Sequence, residues 1–177
     1  ILVLGDRDEP FAAAIAGGHL GIPIAHIHGG DSTRFVVDDA IRHSITKFAH
    51  VHFAVSTKSA ARLRAMGEEG WRIHRSGSTA FDGLAALQFE DRKELANTLG
   101  LDSARPWVLA VQHPTPLDPT PIRRQIDPTI KALTEINAEK MVIYPNTDTG
   151  SAVVISVLET LRGRTDTTIV RSLPRAR

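Results

Sequence analysis

The feature that most constrains this chain is an alternation of short apolar runs with helix-like segments, each run closing on a polar or glycine-containing cluster. Residues 1–4, 22–27, 51–55 and 71–75 read as strands, and 11–20, 37–50 and 57–66 between them read as helices. A second cycle begins at Trp107, with strands at 107–111, 141–144 and 167–170 and helices at 122–137 and 151–162. Strands separated by helices cannot pair through tight hairpins. They pair in parallel, in a sheet whose faces the helices cover. The expected fold is α/β, with two Rossmann-like units in series. Asp8 is expected to cap the first helix with Pro10 in its first turn, and Gly67 to end the third. Residues 84–105 read as helical but less patterned, and 114–121 as a proline-rich loop. A boundary near residues 100–106 gives units 1–103 and 104–177.

In open parallel sheets the ligand lies at the carboxyl ends of the strands. The unusual polar clusters fall there: Gly5-Asp6-Arg7, His26-Ile27-His28-Gly29-Gly30-Asp31, Gln112-His113-Pro114 and Pro145-Asn146. This coincidence points to an enzyme rather than a scaffold. Asp6 beside Arg7 reads either as an acid–base carboxylate with an anion-binding arginine or as a helix cap with a solvated arginine. Period-two alternation sends His26 and His28 to one face. With Asp31 they admit a metal site, a phosphate or sugar contact across Gly29 and Gly30, or a plain tight turn. In Asp38-Asp39-Ala40-Ile41-Arg42-His43 the acids suit a helix start, while Asp39 and His43 are four apart on one helical face. His113 at a strand end suits proton transfer or packing. Asp148 after Asn146 reads as a cap or a cleft residue, and Ser78 in Gly77-Ser78-Thr79 as a weak phosphate contact.

Composition excludes several classes. The 21 basic and 20 acidic residues give a net charge of +1, and aromatics are 5%, so no basic-aromatic nucleic-acid surface is expected. The absence of cysteine removes disulfides and thiolate metal sites. No apolar run approaches the ~20 residues of a membrane span. A soluble, cytoplasmic protein is expected, with no nucleic-acid or membrane partner. The chain opens on Ile1-Leu2-Val3-Leu4 and closes past Thr168-Ile169-Val170, both strand-like. Complete domains rarely begin and end inside strands that need neighbours, so a fragment is expected.

Taken in order, six runs resemble the UDP-N-acetylglucosamine 2-epimerase family, its hydrolysing branch in particular. They are Leu4-Gly5-Asp6-Arg7, Ala25 to Asp31, Asp38 to Lys47, Gly77-Ser78 with Asp82, Gln112-His113-Pro114, and Tyr144-Pro145-Asn146 with Asp148 and Gly150. The run Asp38 to Lys47 is the most diagnostic. The resemblance implies a glycosyltransferase-B-like fold, incomplete here at both termini, that binds a UDP-sugar. It implies loss of the proton on carbon 2 as UDP leaves carbon 1, then addition of water to give N-acetylmannosamine for sialic-acid-type synthesis. It also implies no cofactor and no metal, and a homo-oligomer when full length. Asp6, Asp39 and His113 are then the acid–base candidates. Arg7, Arg42, His43, Gly29, Gly30, Ser78, Asn146 and Asp148 are candidates for substrate contact. One departure bears on the base: His28 stands where family members often carry Glu, with Asp31 three positions on, so both join the catalytic candidates. A non-hydrolysing epimerase and an inactive sugar-nucleotide binding module are the competing readings. Segments carrying further nucleotide loops are expected before Ile1 and after Arg177, so this piece alone is expected to be poorly active or inactive.

Overall fold

A computed structural model describes residues 1–174 as two units, one from Ile1 to Ala85 and one from Ala86 onward. In the first, β1 (Leu2–Leu4), β2 (Ala25–Ile27), β3 (Val51–Ala54) and β4 (Ile73–Arg75) form a parallel sheet in that spatial order. Helices α1 (Asp8–His19), α2 (Asp38–Phe48) and α3 (Thr57–Ala65) follow the first three strands in turn. Val3, Ala14, Ile24, Ile45 and Ala49 form one buried cluster, and Ala54, Ala60, Leu63 and Ile73 another. The strand–helix spacing of the sequence becomes a one-residue-per-strand ladder: Val3 lies beside His26, and His26 beside His52.

Local chemistry explains where these elements start and differ from expectation. Asp8 is not the cap of α1. Arg7 occupies that position in extended conformation, and Asp8 and Glu9 sit in the first turn, where their charge suits the helix dipole. The strand expected over 22–27 narrows to Ala25–Ile27, because the Ile22 amide bonds back to Gly17 and Pro23 has no N–H. Ser56 caps α3 by accepting the Ser59 amide.

The second unit pairs β5 (Trp107–Val111), β6 (Glu139–Ile143) and β7 (Thr167–Val170) in parallel. The stretch read as helical over 84–105 holds only a 3-10 turn at Leu84–Ala86 and helix α4 (Arg92–Leu99), with a capping box from Asp91 to Glu94 and a left-handed Gly100. Helix α5 (Ile122–Glu135) runs on across Pro128, and α6 (Ser151–Leu158) continues as a short 3-10 turn, Glu159–Leu161. Ile126, Leu133, Val142, Val154, Val157, Leu158 and Leu161 make the core of this unit. The division falls earlier than the expected 100–106. Helix α4 is tied to β5 and the loop before it: Arg92 donates to the Ser103 and Arg105 carbonyls at 2.9 and 2.6 Å, and its guanidinium lies 4.0 Å over the Trp107 ring. Among the described residues no helix is long and apolar enough to cross a membrane.

Candidate active site

The polar runs of the first unit meet around a cavity of about 360 Å³ lined by Leu4, Gly5, Asp6, His28, Asp31, Arg42, Thr79 and Ala80. Its centre of charge is Arg42 on the first turns of α2, only 4% exposed. One guanidinium nitrogen donates to Asp6 at the end of β1. The other donates to Asp39 at 2.5 Å and to the Asp31 carbonyl at 3.3 Å. A planar fork can hold two carboxylates in fixed directions, which an ammonium cannot. Burial, and after it the charge of Arg62, lowers the Arg42 pKa, while the two carboxylates compensate the buried cation. Asp39 is further held by the Ser32 hydroxyl at 2.9 Å and the Thr33 amide at 2.7 Å.

The second element of the cavity is the turn after β2. His28 takes φ 69, a left-handed conformation that costs a non-glycine residue energy and that histidine tolerates better than most. The alternation expected to place His26 and His28 on one face therefore stops at Ile27. His26 stays fully buried, and His28 turns into the cavity. His28 Nδ1 lies 3.0 Å from Asp31 Oδ2, and the other Asp31 oxygen accepts the Ser59 hydroxyl at 2.6 Å. A carboxylate only accepts, so Nδ1 carries a proton; in the neutral form of the ring Nε2 then holds the lone pair, with Ser78 Oγ 3.4 Å away. A carboxylate orienting an imidazole whose far nitrogen can accept a proton is a general-base arrangement.

Gly29 and Gly30 have no room for a side chain. A Cβ on Gly29 would lie 3.0 Å from His26 Nδ1, and one on Gly30, at φ +79, would lie 2.3 Å from the Ser59 carbonyl oxygen. Arg7 is exposed at the start of α1 and does not line the cavity. His43 is half-buried on α2, and its buried Nδ1 has no hydrogen-bond partner among the described residues.

In the second unit, the ends of β5 and β6 bring three more candidates together. The Asn146 amide donates to His113 Nδ1 at 3.0 Å, and the Asn146 side chain donates to Asp148 at 2.5 Å. An amide N–H only donates, so Nδ1 is the acceptor and neutral His113 carries its proton on Nε2. That ring presents an N–H donor, which distinguishes it from His28. Among the described residues, no group of three or more His, Asp or Glu side chains is placed to hold a metal ion.

Sequence reading misses Ser59 and Thr46. Thr46 sits one turn after Arg42, bonding its carbonyl at 3.0 Å, so the i to i+4 spacing is a signal. Ser59 lies 28 residues beyond Asp31, and no local spacing connects them.

A family model described as UDP-N-acetylglucosamine 2-epimerase matches residues 1–177. The chain is 33% identical over 175 residues to UDP-N,N'-diacetylbacillosamine 2-epimerase (hydrolyzing) of Legionella pneumophila, which covers 99% of this chain and 46% of that protein. It is 33% identical over 156 residues to polysialic acid biosynthesis protein P7 of Escherichia coli, covering 87% of this chain and 40% of that one. The chain thus spans less than half the length of these curated relatives. In fold it is similar to the UDP-N-acetylglucosamine 2-epimerase of Methanocaldococcus jannaschii solved with UDP-N-acetylglucosamine and UDP. The TM-score is 0.77 at 16% identity, over 99% of this chain and 50% of that one. The Rossmann-like units are thus of the glycosyltransferase-B-like class. With the family model matching from the first residue to the last, the chain belongs to the UDP-N-acetylglucosamine 2-epimerase family.

Proposed function

We propose that the full-length protein is a hydrolysing 2-epimerase of a UDP-linked 2-acetamido sugar, releasing UDP and the free 2-epimeric sugar. The observation that carries this reading is the convergence on one cavity of the His28–Asp31 pair and the Asp6–Arg42–Asp39 bridge. Inverting carbon 2 requires a proton to leave one face and another to arrive on the opposite face, so two acid–base groups are needed. His28 Nε2 and Asp6 are proposed for these roles, with Asp31 orienting the imidazole. As the proton leaves carbon 2, its bonding pair forms a double bond to carbon 1 and the bond from carbon 1 to the UDP oxygen breaks. Water then supplies hydroxyl to carbon 1 and a proton to carbon 2. With N-acetylglucosamine as the sugar, the product is N-acetylmannosamine.

Both terminal nitrogens of Arg42 are taken up by Asp6, Asp39 and the Asp31 carbonyl. We therefore assign it to aiming the carboxylates rather than to the pyrophosphate. His113, with its Nε2–H donor, is proposed to stabilise the departing pyrophosphate, the kind of role that oriented donors serve best. Asn146 and Asp148 hold His113 in this reading, Ser78 contacts the sugar, and Arg7 and His43 contact the phosphates. The Legionella relative's name favours a second sugar, N,N'-diacetylbacillosamine, with the same chemistry at carbons 1 and 2.

The test is product analysis on the full-length protein with both UDP-sugars. Free sugar and UDP in equal amounts support the reading. An epimerised but intact nucleotide sugar identifies the non-hydrolysing reaction, and UDP binding without turnover identifies a binding module. The sugar with the larger kcat/KM is the substrate.

A further inference from the structure

His26 is absent from the chemistry just described, yet it lies at the junction of three segments that carry it in the first unit. It sits in the middle of β2, fully buried, between Val3 of β1 and His52 of β3. Its Nε2 is 2.8 Å from the carbonyl oxygen of Gly5. That carbonyl belongs to the residue immediately before Asp6, where the chain turns at φ +81. The Gly5 amide already bonds to Ile27 at 3.0 Å, so the ring completes the anchoring of this residue on its other side. A carbonyl only accepts, so Nε2 carries the proton. The opposite nitrogen, Nδ1, lies 3.4 Å from the Thr46 hydroxyl, which also bonds the Arg42 carbonyl at 3.0 Å on α2. The same nitrogen abuts Gly29, where an added Cβ would come within 3.0 Å. One imidazole therefore touches the turn that aims Asp6, the turn that carries His28 and Asp31, and the helix that carries Arg42 and Asp39.

We propose that His26 is a positioning residue for the acid–base pair, acting through the Gly5 carbonyl to fix the direction of Asp6 against Arg42. The inference rests on the reading of Asp6 as an acid–base group. The ring holds the Gly5 carbonyl, and without it a peptide free to rotate at a left-handed glycine would let the Asp6 carboxylate swing away from the Arg42 fork. The ring is neutral where it works. Burial dominates and lowers its pKa to about 4, the Gly5 bond partly opposes this, and His52, His28 and Asp31 act as the neighbouring titratable groups.

The experiment uses the full-length protein and the UDP-sugar it turns over. His26→Leu removes both ring nitrogens and is expected to lower kcat about 10²-fold, the scale of a small misplacement of a catalytic group, with KM nearly unchanged. His26→Gln, whose amide can reach the Gly5 carbonyl, is expected to recover most of that loss. The double variant His26→Leu with Asp6→Asn is expected to be no slower than Asp6→Asn alone, because His26 acts through Asp6. A folded His26→Leu with normal kcat, with a loss confined to KM, or with a loss that multiplies that of Asp6→Asn overturns the assignment while leaving the role of Asp6 intact. Near-normal turnover in Asp6→Asn overturns both. Should His26→Leu fail to fold, His26→Asn, too short for Gly5, is compared with His26→Gln: a kcat loss in the first recovered in the second supports the role, and equal kcat overturns it.

Discussion

Asp6→Asn keeps the shape of the side chain and removes its ability to exchange a proton. In the full-length protein its loss is expected in kcat rather than KM, at about 10²–10⁴-fold, the usual range for a general acid or base. Steady-state kinetics check this, and near-normal turnover would leave Asp6 a partner of Arg42 and nothing more. The His28–Asp31 pair makes a separate prediction. Imidazoles titrate about two units above carboxylates, so if His28 is the base, His28→Glu is expected to keep activity and move the acidic limb of the kcat profile downward. If Asp31 is the base, Asp31→Asn abolishes turnover and His28→Glu moves the limb upward by placing a second negative charge beside it. The pH profile of each variant decides. His26 gives a third expectation, in stability rather than rate. Its folded pKa, about 4 through burial, lies below the ordinary value of 6.5, so the unfolded chain binds the proton more readily. Stability contributed by neutral His26 is complete above about pH 6.5 and is lost as pH falls towards 4, by at most about 3 kcal/mol. His52, also lowered by burial despite its bond to Glu68, adds in the same direction. Denaturant midpoints across this range are expected to fall with acid, and less steeply in His26→Gln.

At the level of elements, the turn after β2 is the tightest point. Gly30→Ala must place a Cβ 2.3 Å from the Ser59 carbonyl at a left-handed φ, whereas Gly100→Ala meets open space at φ +69. The second is expected to cost about 1 kcal/mol for the left-handed cap alone, and the first clearly more, since backbone rather than a flexible side chain must give way. Urea unfolding of the two variants side by side measures the difference. The same turn marks how far the sequence is legible. Strand–helix alternation is local and periodic, so it locates β5 and β7 to the residue and most other elements to within a few. Residues 84–105 read as more helical than they are, because charge without apolar periodicity does not distinguish a helix from the loops beside it. The capping box at Asp91 is the signal that locates α4. The polar clusters are legible because parallel sheets gather strand ends. The faces of His26 and His28 are not, because alternation holds only while a strand lasts, and β2 ends one residue before His28. The linkages from Asp31 to Ser59 and from His26 to Gly5 are tertiary and leave no spacing to read.

At the scale of the whole molecule, each unit presents its chemistry at the carboxyl ends of its own parallel sheet, with opposite histidine tautomers. The partner of Nδ1 differs: a carboxylate in His28, which in the neutral ring leaves the lone pair on Nε2, and a backbone N–H in His113, which leaves the proton there. The most direct test is turnover of the UDP-sugar by the full-length protein in D2O, with the products resolved by mass and NMR. The proposed chemistry yields UDP and free 2-epimeric sugar in equal amounts, with one deuterium on carbon 2 of the sugar. Recovery of an intact UDP-sugar as the epimerised product, or of a free sugar that keeps its original proton and configuration at carbon 2, would contradict it.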